Sequence, residues 1–333
     1  MASFAGISSP AAALLPAEVT ALLSGDAQGS RLDVVIAHIL EGCREIGTTI
    51  RNCGYSSDKV GTLNAFGDAQ LDVDVKTDEV MFAALRASRC VHVAASEENP
   101  VEIACNGTGF SVAFDPLDGS SIVDANFAVG TIVGVWPGPG LLHRLGREQS
   151  AALIVQYGPR VTCALALSGS ATVTGEAISL ELTMRPEGWA VSIARLSISA
   201  NAKTFAPGNL RATGDNEHYH RLVQFWITQK YTLRYSGGLV PDVYHILIKG
   251  EGVLANASSP LARAKLRLLF EAAPIALIIE AAGGASCVCA SEAAEALAPT
   301  SILDVPISDL DRRVGVCYGS STEVERFKAH IFA

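Results

Sequence analysis

The chain has 333 residues, 49% of them hydrophobic and 18% charged, with a formal net charge of −9. That length exceeds a single hydrophobic core and calls for two domains or one large layered unit. No apolar run approaches the roughly 18 uninterrupted residues of a membrane span, and the acidic balance with no basic cluster excludes a nucleic-acid partner.

Residues 1–30 are rich in Ala, Ser, Pro and Gly, and Arg31 is the first basic residue. That composition fits neither a signal peptide nor a transit peptide, and it reads as a loosely ordered tail. Leu32, Val35, Ile36, Ile39, Leu40, Cys43 and Ile46 recur at helical spacing, which predicts an amphipathic helix over 31–52. A second helix is predicted over 70–86. Val91–Ala95 reads as a strand with Ser96-Glu97-Glu98 at its tip, and Phe110–Phe114 as a strand ending in Asp115-Pro116-Leu117-Asp118. Strands follow at 131–136, 151–157, 162–168, 171–175 and 178–182, then a turn at Pro186-Glu187-Gly188. A domain boundary is expected near 195–199, which gives a tail (1–30), an N-terminal domain (31–196) and a C-terminal domain (197–333). Further on, strands are predicted at 193–197, 231–235 and 314–318. Helices are predicted at 217–230, 262–271 (continuing to 283 after a kink at Pro274) and 321–330. Residues 240–248 fit a helix and a strand alike. Strands and helices mixed with hairpins predict a layered α/β fold with mixed sheets.

The eight cysteines show neither CxxC pairs nor zinc spacing and read as buried reduced thiols. Cys287 and Cys289 would share one strand face and pack there.

The chemistry concentrates in Asp115-Pro116-Leu117-Asp118-Gly119-Ser120-Ser121. Carboxylates three apart suit a hard, oxygen-seeking cation such as Mg²⁺. The Gly-Ser-Ser amides that follow would form an anion-binding turn if a helix starts there. Together they are equipment for cleaving a phosphate ester. Glu97 and Glu98 also sit at a strand tip, where side chains line clefts. Glu271 lies in an apolar stretch where an unpaired carboxylate is costly, so a metal, Arg267 or Lys265 must compensate it.

The segment 114–121 with its flanks Gly109–Ala113 and Ile122–Gly138 resembles the fructose-1,6-bisphosphatase family of Mg²⁺-dependent, lithium-sensitive sugar phosphatases. Within that family the flanks are similar to the sedoheptulose-bisphosphatase branch, as are Tyr157–Arg160, Pro207–Thr213 and Tyr231–Val243. The resemblance implies an α-β-α-β-α layered sandwich and hydrolysis of the 1-phosphate of sedoheptulose 1,7-bisphosphate. Fructose 1,6-bisphosphate is the alternative substrate, and a catalytically silent sugar-phosphate sensor is a rival from another class. It implies Glu97, Asp115, Asp118, Glu271 and the Leu117 carbonyl as metal ligands for about two or three Mg²⁺ ions, with Mn²⁺ as a substitute. It implies Glu98, Asp74 and Asp68 as the residues that activate and orient water, while Asp72 matches no family position. Gly119, Ser120 and Ser121 would hold the 1-phosphate. Asn209, Arg234, Tyr235 and Lys265 would hold the remote phosphate, and the Leu239 backbone would meet the sugar hydroxyls. Arg234 is expected to reach a neighbouring subunit's site, which implies a homodimer. A soluble intracellular location is expected, in the cytosol, or in a plastid if a leader has been removed. The plant-type Cys-x₄-Cys redox pair is incomplete, because Cys53 fits its first position but Thr62 stands in the second.

Overall fold

A computed structural model describes residues 15–23, 29–52, 59–63, 69–289 and 299–333. Asp68, Cys53 and most of residues 1–30 lie outside the described residues.

The chain opens with helices α1 (Ala17–Leu22) and α2 (Gly29–Asn52), then the small hairpin β1 (Lys59–Leu63) and β2 (Ala69–Leu71), then α3 (Asp72–Ser88). A long run of strands follows: β3 (Val91–Ser96), β4 (Ile103–Ala104), β5 (Phe110–Asp118), the short helix α4 (Ser120–Val123), β6 (Val129–Pro137), β7 (Ala151–Tyr157), β8 (Val161–Leu167), β9 (Ile178–Arg185) and β10 (Gly188–Ile193). The last part alternates: β11 (Thr204–Gly208), α5 (Glu217–Thr228), β12 (Thr232–Leu233), α6 (Leu239–Lys249), β13 (Val253–Asn256), a π-helical turn at Leu268–Ala272, α7 (Ala273–Ala281), β14 (Ala285–Cys289), β15 (Gly315–Gly319) and α8 (Ser321–Ile331).

Two mixed sheets result. The larger has eight strands in the order β10-β9-β8-β7-β6-β5-β3-β4, antiparallel except for the parallel pair β3–β5. The smaller has five in the order β12-β11-β13-β15-β14, with β11 parallel to both β12 and β13. Side-chain alternation sorts each strand between layers. Val112 and Phe114, with Leu153 and Val155, pack against α2 and α3. Ala113, Ala152, Ile154 and Ala164 face the other way, onto Val240 and Val243 of α6 and Ile275 of α7. Those two helices also receive Leu254, Val288 and Val316 from the smaller sheet. Its outer face carries Val253, Cys287, Cys289 and Cys317 against α5 and α8. The layers therefore run α-β-α-β-α, as expected. Cys287 and Cys289 share the outer face, and the seven described cysteines are free and buried.

Several element boundaries differ from the sequence reading. Residues 171–175 are not a strand: the Thr172 hydroxyl donates to the Glu176 carbonyl at 2.8 Å, and Gly175 takes φ +73°. Local side-chain bonding overrides the strand preference of the threonines there. The strand expected at 193–197 ends at Ile193, because β10 is the return arm of a hairpin that begins at Gly188, directly after the turn, with φ +128°. The strand expected at 231–235 keeps only Thr232–Leu233. The helix expected from 262 starts at Leu268. Before it, Arg267 bridges to Arg313 and the Val314 N–H donates to the Leu266 carbonyl at 2.8 Å, so the chain is held extended against a neighbour. The ambiguous segment 240–248 is helical, inside α6.

Candidate active site

The acids meet at the carboxyl end of the one parallel strand pair in the larger sheet. β3 and β5 pair with Ser96 opposite Phe114, so Glu97 leaves the end of β3 level with Asp115, which stays in β5. The Glu97 N–H donates to the Phe114 carbonyl at 3.1 Å, which seats Glu97 beside Asp115. Between Asp115 and Asp118 the register with β6 slips, since Asp115 faces Ile132 while Asp118 faces Gly130. Residues three apart on a regular strand would face opposite sides, and the extra residue of this bulge brings both carboxylates to one face, opposite Ile132 and Gly130. Its shape is fixed by two bonds: the Leu117 N–H to Asp115 Oδ1 at 2.9 Å, and the Thr131 hydroxyl to the Pro116 carbonyl at 2.8 Å. Thr131 Oγ1 in turn pairs with the Tyr157 hydroxyl at 2.8 Å.

Glu271 arrives from the π-helical turn that packs beneath β5 and β6, and its Oε2 accepts the Arg267 N–H at 2.6 Å. Glu97, Asp115 and Glu271 each offer a carboxylate oxygen, and these oxygens lie within 4.8 Å of one another. One guanidinium adjoins them: buried Arg267 hydrogen-bonds Glu97 and pairs with Asp311 at 3.1 Å. Burial pulls the Arg267 pKa down, but Glu97, Glu271 and Asp311 together hold it above its ordinary value.

One cation does not neutralise this cluster. Burial, then the nearby Glu97, Asp118 and Glu271 charges, pushes the Asp115 carboxyl well above its usual range. Burial and Glu97 do the same to Glu271, against the opposing pull of the Arg267 N–H and charge. Such carboxyls hold protons until a cation displaces them. An all-oxygen donor set fits a hard divalent ion of the Mg²⁺ or Mn²⁺ class, so the residues present fit the expected metal.

Asp118 is anchored by different partners. Its oxygens accept the Leu239 N–H at 3.3 Å and the Val240 N–H at 2.7 Å, at the start of α6. These bonds and the helix dipole favour its charge, yet burial dominates and pushes its pKa up to about 7. The close approach of α6 requires glycine at 130, where a Cβ would lie 2.4 Å from Val240 Cγ1. Asp118 thus ties the acid edge of the larger sheet to α6, and the Leu239 N–H expected near the sugar is bound to Asp118.

Asp74 is buried on α3 and Glu98 is half-buried beside Glu97. Asp68 is outside the described residues. Gly119, at φ +87°, starts α4, with Ser120 and Ser121 partly or fully open to solvent.

Of the residues expected to hold the remote phosphate, Asn209, Arg234 and Tyr235 lie just after parallel strands of the smaller sheet. Asn209 follows β11, and Arg234 and Tyr235 follow β12, with the Arg234 N–H on the Phe205 carbonyl at 3.0 Å. The Asn209 amide donates to the Ala257 and Ala262 carbonyls, both at 2.8 Å, and so shapes the loop leading to exposed Lys265. Arg234 is exposed and Tyr235 half exposed.

Three acids given no role in the sequence reading complete the site. Buried Asp242 accepts the Ser236 N–H at 2.7 Å and the Gly237 N–H at 3.2 Å, and so holds the loop after Tyr235. Asp311 shares Arg267 with Glu97. Asp78 bonds Asn99 from α3 at 2.6 Å. Asp242 stood in a recognisable motif, and Asp78 follows Asp74 at helical spacing. Nothing local to Asp311 announces its partner.

A family model for the fructose-1-6-bisphosphatase N-terminal domain matches residues 20–177, and one for the C-terminal domain matches 198–332. The chain is 45% identical to the chloroplastic sedoheptulose-1,7-bisphosphatase of Chlamydomonas reinhardtii, over 90% of this chain and 74% of that one. It is 36% identical to the class 1 fructose-1,6-bisphosphatase of Trichlorobacter lovleyi, over 87% and 89%. Among solved structures, a Toxoplasma gondii protein assigned as a sedoheptulose-1,7 bisphosphatase superposes with a TM-score of 0.81 at 38% identity, covering 90% of this chain and 94% of that one. Among the described residues, no helix is long and apolar enough to cross a membrane.

Proposed function

The chain belongs to the fructose-1,6-bisphosphatase family, and from that premise we propose that it removes the 1-phosphate of sedoheptulose 1,7-bisphosphate with the help of Mg²⁺. The observation that carries this reading is the convergence of the Glu97, Asp115 and Glu271 carboxylates within 4.8 Å. Those three, with Asp118 and the Leu117 carbonyl, would hold the divalent ions. When bound, such ions polarise the phosphate and stabilise the attacking and leaving oxygens of an in-line displacement.

The chain's own residues do the rest. The turn at Gly119, Ser120 and Ser121 cradles the 1-phosphate beside the acids. Glu98 and Asp74, with Asp68, orient the attacking water and take its proton as its oxygen bonds to phosphorus. The phosphorus–oxygen bond to the sugar breaks, and the sugar oxygen leaves and takes a proton from solvent, while the acids later return theirs to solvent. Asn209, Tyr235 and Lys265 hold the phosphate that does not react, with Arg234 supplied by the partner subunit of a homodimer. Binding at that distant end fixes the reacting end in place. The Asp118 link to α6 runs from the acid edge toward the loop that carries Arg234 and Tyr235.

A second reading keeps the chemistry and takes fructose 1,6-bisphosphate, on the strength of the class 1 relatives at 36% identity. A pocket separates sugars that differ by one small unit only weakly. Replacing Glu98 with Gln tests the mechanism. Turnover is expected to fall by about a hundredfold or more, as for a lost general base, while Mn²⁺ binding persists. Near-normal turnover would remove Glu98 from this role.

A further inference from the structure

A second buried carboxylate lies on α3. Asp78 is 4% exposed and follows Asp74 by one helical turn, so both lie on the same helix face. Asp78 Oδ2 accepts the Asn99 side-chain amide at 2.6 Å. Asn99 closes the turn that follows β3. Its N–H donates to Ser96 Oγ at 3.0 Å, and its carbonyl accepts the Ser96 N–H at 3.0 Å. Glu97 and Glu98 form the crown between those two residues. Glu97 has anchors of its own, its N–H on the Phe114 carbonyl and its carboxylate on Arg267. The turn is therefore fastened to β5 at one end and, through Asn99, to α3 at the other. That helix also carries Asp74.

We infer that Asp78 is a positioning residue: through Asn99 it holds the Glu97–Glu98 turn in place against α3, and so aims Glu98 and Asp74 at one water. The inference rests on the reading of Glu98 and Asp74 as the proton-accepting pair. Loss of the tie should harm Glu98 more than Glu97, because Glu97 keeps its bonds to Phe114 and Arg267. A misplaced proton acceptor lowers turnover, whereas a retained metal ligand preserves cation affinity.

The test is steady-state kinetics with Mg²⁺ alongside direct Mn²⁺ binding and thermal melting, on full-chain variants. Asp78→Ala is expected to lower kcat by about tenfold to a hundredfold, the scale of a small misplacement. KM and Mn²⁺ affinity should stay within about threefold, the pattern of an interaction needed only in the transition state. Asp78→Asn keeps an acceptor oxygen for the Asn99 amide and should restore kcat to within about threefold of the parent. Asn99→Ala should reproduce the Asp78→Ala loss, and the double variant should be no worse than either single one. Because Asn99 is at the surface, Asn99→Ala reports the same kcat-against-binding split even if Asp78→Ala does not fold. Unchanged kcat in Asn99→Ala overturns the inference, as does a double variant whose losses multiply. A variant that melts earlier with kcat intact overturns it as well, since that marks packing alone. Glu98→Gln run in parallel separates the two claims. If it is inactive while Asn99→Ala is normal, only the role of Asp78 falls. If Glu98→Gln is active, the reading beneath it falls too.

Discussion

Replacing Arg267 with Met should destabilise the metal-free protein far more than the metal-loaded one. The side chain is 6% exposed and is paired with Glu97 and Asp311. Met fills similar volume and removes the only guanidinium bonded to the three-acid cluster among the described residues. Breaking a buried pair by removing one partner costs about 3–5 kcal/mol, because the surviving charge stays desolvated. Glu97 and Asp311 keep 23% and 28% side-chain exposure, so water relieves part of that cost. Asp115 and Glu271 are almost fully buried and held toward their protonated, neutral forms, so they add little to that cost. The expected loss is therefore near the lower end, about 3 kcal/mol, at pH 7.5 in chelator. Saturating Mg²⁺ supplies the missing positive charge, so most of the loss should disappear. Urea unfolding of parent and variant, each with chelator and with Mg²⁺, measures all four stabilities. An equal loss with and without Mg²⁺ would mean that Arg267 acts through packing. No loss in chelator would mean that it does not neutralise the cluster at all.

Other outcomes follow from the same geometry. Asp118 holds its proton up to about pH 7 in the folded chain, against about 3.9 unfolded, and Asp115 and Glu271 shift in the same direction. The folded state thus binds more protons between about pH 4 and 7, and stability without metal should fall as pH rises through that window. A chelated sample that grows more stable from pH 4.5 to 7 would contradict this. Mg²⁺ added near pH 6 should release protons, as read by calorimetry in buffers of different ionisation enthalpy. Thr131→Val removes the hydroxyl that donates to the Pro116 carbonyl and pairs with Tyr157. It should cost about 1–3 kcal/mol, because both buried partners lose a hydrogen bond. It should also weaken Mn²⁺ binding by loosening the turn between Asp115 and Asp118, and unchanged urea stability would refute that account.

What the sequence made legible was mostly local. The alternation of Val112 and Phe114 with Ala113 marks a strand buried on both faces, and the acid motif follows at its tip. Helical spacing from Leu32 to Ile46 marks α2 in the same way. The site itself depends on distant contacts. Parallel pairing seats Glu97 next to Asp115, and Asp118 meets α6 across 121 residues. No spacing rule announces either contact. The helix that bears Glu271 starts later than the leucines at 266, 268 and 269 suggest, because Arg267 is drawn into extended pairing with Arg313 and toward Glu97. Asp78 is one acid among several on a helix, and only its contact with Asn99, 21 residues away, sets it apart.

The most direct test is phosphate release from sedoheptulose 1,7-bisphosphate and fructose 1,6-bisphosphate, measured side by side with Mg²⁺ and with chelator. The account predicts release from both sugars only with Mg²⁺, loss of that release in Glu98→Gln, and a higher kcat/KM for the seven-carbon sugar. Release that persists in chelator, no release from either sugar, or a higher kcat/KM for the six-carbon sugar would contradict it.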